Sequence, residues 1–279
     1  MENNVYGDFM RLIILAVILL SNMYGNNQIT IGTIDSEPKE KIYKFQPLAD
    51  YLQKKLQKKN IKVNLEIPKD INTAVQLINN KKLDIYIDSV YPSLLVQKDA
   101  DITIVCKRWK KGKEGYKSLI FTKKDSNIDK ISDLKGKTIA FEDKYSTSGY
   151  YIPKKEILNQ GLNLSHLGKS DSINYIFSKS EENSIAWVMF GKADAAVLDD
   201  KTFKSLDQNL FKVIYKSKLI PRHLVSFSKN INKELKTEIL NILYDMDKDK
   251  DGIEVLKKFS KTKKFSPLTI EDEKMIKDL

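Results

Sequence analysis

The sequence predicts an α/β protein of two lobes, each a mostly parallel sheet flanked by helices. Apolar strand-like runs alternate with amphipathic helical runs from Gln28 onward, and the alternation begins afresh near Thr138. With 279 residues, 41% hydrophobic and 30% charged, the chain is large enough for one sizeable core or two modest ones. The second start of the pattern favours two.

The elements of the first lobe follow from the period of its apolar residues. Leu48, Leu52 and Leu56 recur at helical spacing, whereas the shorter apolar runs on either side are typical of strands. In order, the predicted elements are a strand at 29–32, a helix at 47–56, a strand at 61–67, a helix around 74–78 and a strand at 83–87. Strands that alternate with helices in this way are expected to lie parallel.

The second lobe repeats this order, and helices follow it. The predicted elements are a strand at 138–141, a helix ending near 161, a helix at 185–190 closed by Gly191, and a strand at 193–198. Apolar residues from Leu235 to Met246 then fall on one helical face, and Thr269-Ile270-Glu271-Asp272 resembles a capping box. We expect these C-terminal helices to pack on the first lobe.

Two extended apolar segments join the lobes in this prediction. Tyr116–Lys123 lies where the chain leaves the first lobe, and Leu224–Ser228 lies where it returns. We interpret both as hinge crossings. The predicted boundaries are a signal peptide at 1–25, the first part of lobe one at 26–117, lobe two at 118–223, and the return strand with the C-terminal helices of lobe one at 224–279.

The N-terminus has the anatomy of a signal peptide. The apolar run Leu12–Leu20 follows Arg11, and small and polar residues come next. The run is too short to span a membrane, which takes about 20 residues, and no cysteine lies near its end to carry an acyl anchor. We therefore expect a periplasmic protein. Its single cysteine, Cys106, alternates with Ile102 and Ile104, which predicts a buried core thiol.

Charge and composition exclude several classes of function. The net charge is +11, but the lysines are scattered and interleaved with acidic residues, so we expect no nucleic-acid partner. The two histidines lie far apart, and the sequence lacks a nucleophile elbow, a P-loop and metal-spaced clusters of Cys, His and Glu. We expect neither an enzyme nor a bound metal or cofactor.

One segment brings hydroxyl groups and free backbone N–H groups to the same place. Ser146-Thr147-Ser148-Gly149 follows the strand at Thr138–Phe141 and precedes a helix that tolerates Pro153 in its first turn. Unpaired N–H donors and the positive end of the helix dipole favour an anion there. The alternative is that Ser146 or Ser148 serves only as the N-cap of the helix.

A series of motifs resembles a known family in content and in order. They are Gln46–Leu52, Leu83–Pro92, Arg108–Lys110, Tyr116–Phe121, Asp133–Tyr150, Gly191–Ala196, Ile220–Val225 and Lys264–Ser266. From about Ile29 to the C-terminus the chain is similar to the phosphate, phosphite and phosphonate substrate-binding proteins of ABC importers. The resemblance implies a type II periplasmic binding fold, capture of a small oxyanion by hinge closure, and delivery to a membrane ABC permease. The alternative function is a ligand-binding sensor that signals in trans to a membrane receptor.

The resemblance also implies ligand-binding residues on the first lobe and at one strand end of the second. The family places an aromatic hydroxyl at Tyr91, which can instead be a packing residue. Asp88 and Ser89 follow a strand and either contact the ligand or cap the next helix. Asp199 either caps a helix or selects a ligand that carries a proton or an amine.

In lobe two the resemblance assigns the oxygens of the anion to Ser146, Thr147 and Ser148. Many relatives carry a Gly-Ser-His-like turn that places a histidine near the anion, whereas this chain reads Ser180-Glu181-Glu182-Asn183. Glu182 is therefore a candidate contact for a cationic or protonated group of the ligand.

A cluster of basic and aromatic residues has no assignment from its spacing alone. It comprises Lys107, Arg108, Trp109, Lys110 and Lys111. These side chains either contact the ligand or the transporter, or they lie on a surface loop with their aliphatic stems packed down. We expect the protein to act as a monomer.

Overall fold

A computed structural model describes residues 28–166, 168 and 171–279, so the predicted signal peptide lies outside the described residues. Strands and helices are numbered separately in chain order. The first of two six-stranded sheets consists of β1 (Gln28–Gly32), β2 (Lys62–Glu66), β3 (Ile85–Asp88), β4 (Ile102–Arg108), β13 (His223–Ser228) and β14 (Phe265–Pro267). Its strand order is β14-β4-β13-β3-β1-β2.

The second six-stranded sheet is built from the middle of the chain. It consists of β6 (Ser118–Lys123), β7 (Thr138–Phe141), β8 (Leu164–Ser165), β9 (Ile173–Phe177), β10 (Ala195–Asp199) and β11 (Phe211–Lys216). Its order is β11-β6-β10-β7-β9-β8. The run β13-β3-β1-β2 of the first sheet thus corresponds in position to β6-β10-β7-β9 of the second.

The direction of strand pairing confirms the predicted fold class. Strand β1 pairs in parallel with β2 and β3, and β7 pairs in parallel with β9 and β10. Within the two six-stranded sheets, the antiparallel pairs all involve β6, β13 or β14. These strands enter from the other sheet or from the C-terminal helices, so no βαβ crossover constrains their direction. The result is a parallel-rich α/β fold with a few antiparallel strands in each sheet.

The helices lie between the strands, as the alternating pattern predicts. They are α1 (Pro38–Lys55), α2 (Ile71–Asn79), α3 (Val90–Asp99), α4 (Ile152–Asn159), α5 (Glu181–Met189), α6 (Asp200–Lys204), α7 (Lys233–Asp245), α8 (Lys250–Lys258) and α9 (Ile270–Lys277). No helix among these described residues is long and apolar enough to cross a membrane. Thr269 and Asp272 form the predicted capping box of α9.

Helix α1 differs from its prediction because it begins at Pro38 and runs through Pro47. A proline inside a helix removes one backbone hydrogen bond, so the sequence pattern places the N-terminus at Pro47. In the folded protein, Phe45, Leu48 and Leu52 are buried in the core of the first sheet. Their burial on both sides of Pro47 offsets the lost hydrogen bond.

The chain passes between the sheets at a small two-stranded pairing. Strand β5 (Gly115–Tyr116) pairs there with β12 (Ile220–Pro221). The predicted segments Tyr116–Lys123 and Leu224–Ser228 begin at or just after this pairing and continue as β6 and β13 within the sheets. That the pairing acts as a hinge stays a prediction.

Each sheet has its own apolar core, and the C-terminal helices belong to the first. Ile239 and Leu243 of α7 and Phe259 after α8 share one cluster with Ile31 of β1, as predicted. Cys106 lies in the same cluster and is fully buried. Burial raises the pKa of its thiol to about 12, so this cysteine is a core residue and not a nucleophile.

Candidate anion-binding site

The predicted site residues gather where β3, β7 and β10 end. Asp88 ends β3, Asp199 ends β10, and the Ser146–Ser148 turn follows β7. Ligands of open α/β sheets bind at these carboxyl ends. The two sides touch directly, since the backbone N–H of Tyr91 donates to Thr147 Oγ1 over 2.9 Å.

The Ser146–Ser148 turn is bonded to other groups of the protein. A π-helical turn, Thr147–Tyr151, leads into α4. Ser146 Oγ accepts a hydrogen bond from the Gly149 amide at 3.0 Å and donates one to the Glu142 carboxylate at 2.7 Å. Ser146 therefore caps the helical turn, which is the alternative that its position left open. Its role as a ligand contact stays a prediction.

Glu142 gives this turn an acidic neighbour. Burial raises the pKa of Glu142, the hydrogen bond from Ser146 lowers it, and the nearby Glu181 raises it further. Gly149 is needed beside it, because a Cβ at that position would lie 2.5 Å from a carboxylate oxygen of Glu142. The contact between the turn and Glu142 is therefore close and specific.

Asp88 is held by groups of its own sheet. Its Oδ2 accepts hydrogen bonds from Thr33 Oγ1 at 2.7 Å and from the Tyr86 hydroxyl at 3.1 Å, and its Oδ1 accepts one from the Ser89 amide at 2.7 Å. Ser89 occupies the N-cap position of α3 without a side-chain capping bond. The carboxylate of Asp88 is thus fixed in place at the end of β3.

Asp199 is buried and uses both of its oxygens. Its Oδ1 caps α6 by accepting hydrogen bonds from the Lys201 and Thr202 amides, and its Oδ2 accepts two from the Arg222 guanidinium at 3.0 Å each. Burial raises the pKa of Asp199, but the hydrogen bond from Thr202 and the charge of Arg222 outweigh it and lower the pKa below its usual value. Asp199 therefore stays ionised and ties α6 to the return crossing.

Tyr91 lies between the two sides of the cleft. Its ring stacks on the ring of Tyr151, with centroids 4.0 Å apart and an angle of 9° between the planes. Tyr91 belongs to α3 of the first sheet, whereas Tyr151 leads into α4 of the second. Tyr91 is therefore a packing residue in this structure, and contact of its hydroxyl with a ligand stays a prediction.

The acidic pair at the start of α5 splits between two environments. Glu182 is exposed in the first turn of the helix, where hydrogen bonds from its own backbone and from Ser180 lower its pKa. Glu181 instead accepts a hydrogen bond from Thr202 Oγ1 at 3.0 Å. The pair supports the helix starts of α5 and α6, and contact of Glu182 with a ligand stays a prediction.

A cavity of about 630 Å³ lies beside these strand ends. Helix α1 and strands β3 and β4 contribute walls from the first sheet, and α6 contributes a wall from the second. The cationic side chains that line it are Lys41, Lys44, Arg108, Lys110, Lys111, Lys201 and Lys261. The ring of His223 also lines it. Among the described residues, no acidic side chain lines this cavity.

Arg108 is the most deeply buried of these cations, with 1% of its surface exposed. Its Nε donates to Thr262 Oγ1 and its Nη2 to the Phe259 carbonyl, each over 2.9 Å. The guanidinium lies 3.6 Å from the centre of the Phe259 ring. Within the described part of the chain its Nη1 has no hydrogen-bond partner, so one donor of a fixed guanidinium remains for a ligand.

Lys110 extends the positive wall from β4. Its ammonium nitrogen lies 3.2 Å from His223 Nε2, and His223 Nδ1 contacts the Arg222 carbonyl. Burial, and then the charge of Lys110, lower the pKa of His223 well below its usual value, so the ring is neutral and Nε2 accepts from Lys110. Burial, and then the charge of Arg108, lower the pKa of Lys110 itself to about 7.

Some residues that line the cavity were predicted from the sequence, and others were missed. The candidate residues Asp88, Asp199 and the Ser146–Ser148 turn lie near the cavity but do not line it. Of the basic cluster, Arg108, Lys110 and Lys111 do line it. Lys41, Lys44, Lys201 and Lys261 were missed, since lysines scattered on separate elements give no local pattern. The signal that existed was the density of lysines on either side of Arg108.

The fold and these strand ends define a class: two α/β sheets joined by two crossings, with a cationic cavity between them. A family model described as the periplasmic substrate-binding protein of phosphonate ABC transporters matches residues 31–273, and the chain belongs to this family. Its members are substrate-binding proteins and not enzymes. The family assignment gives no support to the alternative of a sensor.

Individual proteins are similar to this chain in sequence or in fold. The phosphonates-binding periplasmic protein of Escherichia coli (strain K12) is 26% identical over 262 residues, which cover 86% of this chain and 73% of that protein. The structure of XAC2383 from Xanthomonas citri bound to chloride ion has a TM-score of 0.84 and 20% identity, covering 90% of this chain and 95% of its own. XAC2383 is also known bound to ATP. PhnD1 from Prochlorococcus marinus (MIT 9301) in complex with methylphosphonate has a TM-score of 0.68 and 19% identity over 91% of this chain and 97% of its own.

Proposed function

We propose that this protein captures a small oxyanion such as phosphonate, phosphite or phosphate in the cleft between its two sheets and delivers it to a membrane ABC permease. The cavity lined by Arg108, Lys110 and Lys201 carries this proposal, because it places cations from both sheets around one space and leaves Arg108 Nη1 free to donate. A charge-assisted hydrogen bond to an oxyanion stabilises by about 1.5 to 3 kcal/mol. The assignment of the chain to a phosphonate-binding family agrees with this charge.

Hinge closure is the proposed mechanism of capture. The pairing of Gly115–Tyr116 with Ile220–Pro221 provides a narrow connection about which the sheets can rotate. An anion that contacts Lys201 on one side and Arg108 on the other favours the closed state over the open one. The hydrogen bond from Tyr91 to Thr147 adds to closure without a ligand, and the permease would recognise the closed form.

The proposed location and assembly follow the family. Residues 1–25 are proposed to direct export to the periplasm and to be removed there, and the remaining protein is proposed to act as a monomer with no nucleic-acid partner. Size-exclusion chromatography with light scattering tests the assembly directly. A mass near twice that of the chain would contradict the monomer.

A thermal-shift screen of residues 26–279 tests the function. The panel contains methylphosphonate, 2-aminoethylphosphonate, phosphite, phosphate and sulfate, with small amines and carboxylates as controls. A ligand at about 100 times its Kd adds about 2.7 kcal/mol to the free energy of unfolding, which raises Tm visibly. Stabilisation by the phosphorus oxyanions supports the proposal, whereas stabilisation by the amines alone would overturn it.

A paired set of variants separates two positions for the anion. Ser146→Ala combined with Thr147→Ala removes the hydroxyls of the turn, and Lys201→Gln removes a cation from the cavity. If the turn holds the oxygens, the first variant abolishes binding of methylphosphonate; if the cavity holds them, the second weakens it about tenfold. If both variants bound methylphosphonate with unchanged affinity, the anion would bind elsewhere and the proposed site would be wrong.

A further inference from the structure

We propose that the cavity between α1, β3, β4 and α6 accepts an anion with two or more linked phosphoryl groups, in preference to a single small oxyanion. This inference rests on the proposed function, because it names the class of substrate at the same site. It is carried by the number of cations that lack a counter-charge, by their distribution over the walls, and by the size of the space.

The cations that line this cavity differ in whether a carboxylate pairs with them. Lys41 pairs with Asp35 over 3.5 Å, and Lys44 pairs with Glu40, so these lysines are already neutralised at the rim. The remaining lining cations have no carboxylate within ion-pair distance among the described residues. They are Arg108, Lys110, Lys111, Lys201 and Lys261. A single dianion would leave most of this charge uncompensated.

Nearby carboxylates do not supply the missing charge. Asp88 interacts with Arg108 and Lys110 only at longer range, and its oxygens accept the hydrogen bonds from Thr33, Tyr86 and Ser89 described above. Glu142 and Glu182 likewise act on Lys110 and Lys111 only at a distance. None of these acids lines the cavity.

The charged side chains that line this cavity are all basic, and this is not a by-product of the net charge of +11. A second cavity of similar volume, about 610 Å³, lies between α1 and α7. Its lining mixes both signs, with Lys55 and Lys233 beside acidic residues that include Glu234, Glu238 and Asp245. A basic chain therefore does not by itself produce a wall of cations.

Size and shape favour an extended anion. Cavities of about 300 to 1,000 Å³ enclose ligands much larger than methylphosphonate, and this one measures about 630 Å³. Its cations sit on separate walls, with Lys111 and Arg108 on the side of β4 and Lys201 on α6. Linked phosphoryl groups carry negative charge on several neighbouring atoms, so one ligand of this class can contact cations on both walls.

Isothermal titration of residues 26–279 tests the inference with methylphosphonate, inorganic pyrophosphate, tripolyphosphate and citrate at fixed ionic strength. Pyrophosphate and tripolyphosphate are expected to bind at least about tenfold more tightly than methylphosphonate, since each added phosphoryl group engages further cations. Citrate carries comparable charge without phosphorus and is expected to bind more weakly than either.

Variants of exposed lysines test the position. Lys111→Gln is expected to weaken pyrophosphate about tenfold and methylphosphonate less, and Lys201→Gln is expected to weaken pyrophosphate more than it weakens methylphosphonate. Lys39→Gln is the matched control, because Lys39 is exposed on α1 and does not line the cavity. All three side chains are exposed, so circular dichroism should show an unchanged fold.

The outcomes separate this inference from the proposed function. Binding of methylphosphonate with no preference for pyrophosphate would overturn the inference and leave the function standing. If citrate bound as tightly as pyrophosphate, the site would select its ligand by charge alone. That result would overturn the proposal that the ligand carries phosphoryl groups. Absence of binding by every phosphorus anion would overturn both.

Discussion

Two α/β units of this chain, α2 with β3 and α5 with β10, are alike where each strand begins and different where it ends. In the turn after α2, the Lys82 amide donates to the Leu77 carbonyl at 2.8 Å. In the turn after α5, the Lys192 amide donates to the Trp187 carbonyl at 2.8 Å. The units hold equivalent places in the two sheets. Each half of the protein therefore builds its central strand with the same local geometry.

The likeness extends to an aspartate at the start of each strand. Asp84 Oδ2 accepts a hydrogen bond from the Thr30 amide at 2.8 Å, and Asp194 Oδ2 accepts one from the Thr138 amide at 2.8 Å. In both cases the aspartate ties the start of the central strand to the neighbouring parallel strand. This bond stabilises the strand register in each sheet.

The strand ends differ because they face the cleft. Asp88 at the end of β3 is held by hydroxyls and a backbone amide, whereas Asp199 at the end of β10 is held by Arg222 and caps α6. The equivalent hydrogen bonds at the strand starts stabilise the same fold in both halves, whereas the residues at the strand ends have different partners in each half. One end supports a cationic cavity, and the other ties the second sheet to the return crossing.

The largest expected effect is at Asp199. Asp199→Ala should lower the free energy of unfolding by about 3 to 5 kcal/mol, because it leaves the buried Arg222 without its counter-charge and removes the cap of α6. Asp88→Ala should cost about 1 to 3 kcal/mol, since it removes hydrogen bonds and a charge that has no direct ion-pair partner. Urea unfolding followed by circular dichroism measures both, and equal losses would contradict the difference between the strand ends.

A double variant and the pH dependence test whether the loss of stability at Asp199 comes from its charge. Asp199→Leu with Arg222→Met should regain most of the lost stability, because no buried charge remains. The pKa of Asp199 is lowered in the folded protein, so its contribution is present above the usual carboxyl pKa and is lost as the pH falls through the folded-state value. The difference in the free energy of unfolding between the wild type and Asp199→Asn should therefore become smaller at acidic pH.

The second prediction tests the likeness of the strand starts. Asp84→Ala and Asp194→Ala should each lower the free energy of unfolding by a similar amount, about 1 to 3 kcal/mol, because each leaves one backbone N–H without its partner. Burial raises the pKa of Asp84, and its hydrogen bond from Thr30 opposes that shift. A loss confined to one of the variants would show that the units are alike in geometry but not in energy.

The third prediction concerns the cavity on the side of β3. With a pKa of about 7, Lys110 is about half protonated at pH 7, so anion binding should take up about half a proton. The charged neighbours in its surroundings are Arg108, Lys41, Arg222, Asp88 and Glu142, with neutral His223 in contact. Protonation favours the anion, so this lysine alone should weaken binding about tenfold from pH 6 to pH 8.

Titration of methylphosphonate in two buffers of different ionisation enthalpy measures the proton uptake. The ligand titrates as well, so the test is the ratio of affinities between the wild type and Lys110→Met, in which the contribution of the ligand cancels. A ratio that does not change between pH 6 and pH 8 would contradict a titrating Lys110.

The smallest expected effects lie in the turns between helix and strand. Lys81 after α2 and Gly191 after α5 both adopt positive φ, 58° and 74° respectively. Lys81→Gly should therefore stabilise by up to about 1 kcal/mol, and Gly191→Ala should destabilise by about 1 kcal/mol. Thermal unfolding measures the change in Tm of each variant. Changes of the same sign would contradict the proposal that the two turns are equivalent.

Much of the fold was predictable from the sequence because its signals are local. The strand at Thr138–Phe141 was predicted with the bounds that the structure has, and the capping box at Thr269 was recognised from spacing. Helix α1 was predicted to start too late, since burial around Pro47 depends on contacts with the rest of the sheet. Strand β11 was missed for a similar reason: its pairing with β6 depends on tertiary context.

The candidate site was less predictable, for a physical reason. Ser146 and Asp199 stand out because hydroxyls and acids after a strand form a recognisable local pattern, and both serve as caps in the structure. Lys201 and Lys261 carry no such pattern, although they line the same cavity as Arg108. Only the folded chain brings together lysines that are distant in sequence.

The burial of Cys106 has a practical consequence for watching this molecule move. A thiol with its pKa raised to about 12 forms almost no thiolate at neutral pH, and maleimide dyes react with the thiolate. The native chain should therefore behave towards such dyes as if it had no cysteine. Two cysteines introduced at exposed positions such as Tyr43 and Phe190, on opposite sides of the cleft, can carry a fluorescent donor and acceptor. Their energy transfer would report opening and closing in single molecules.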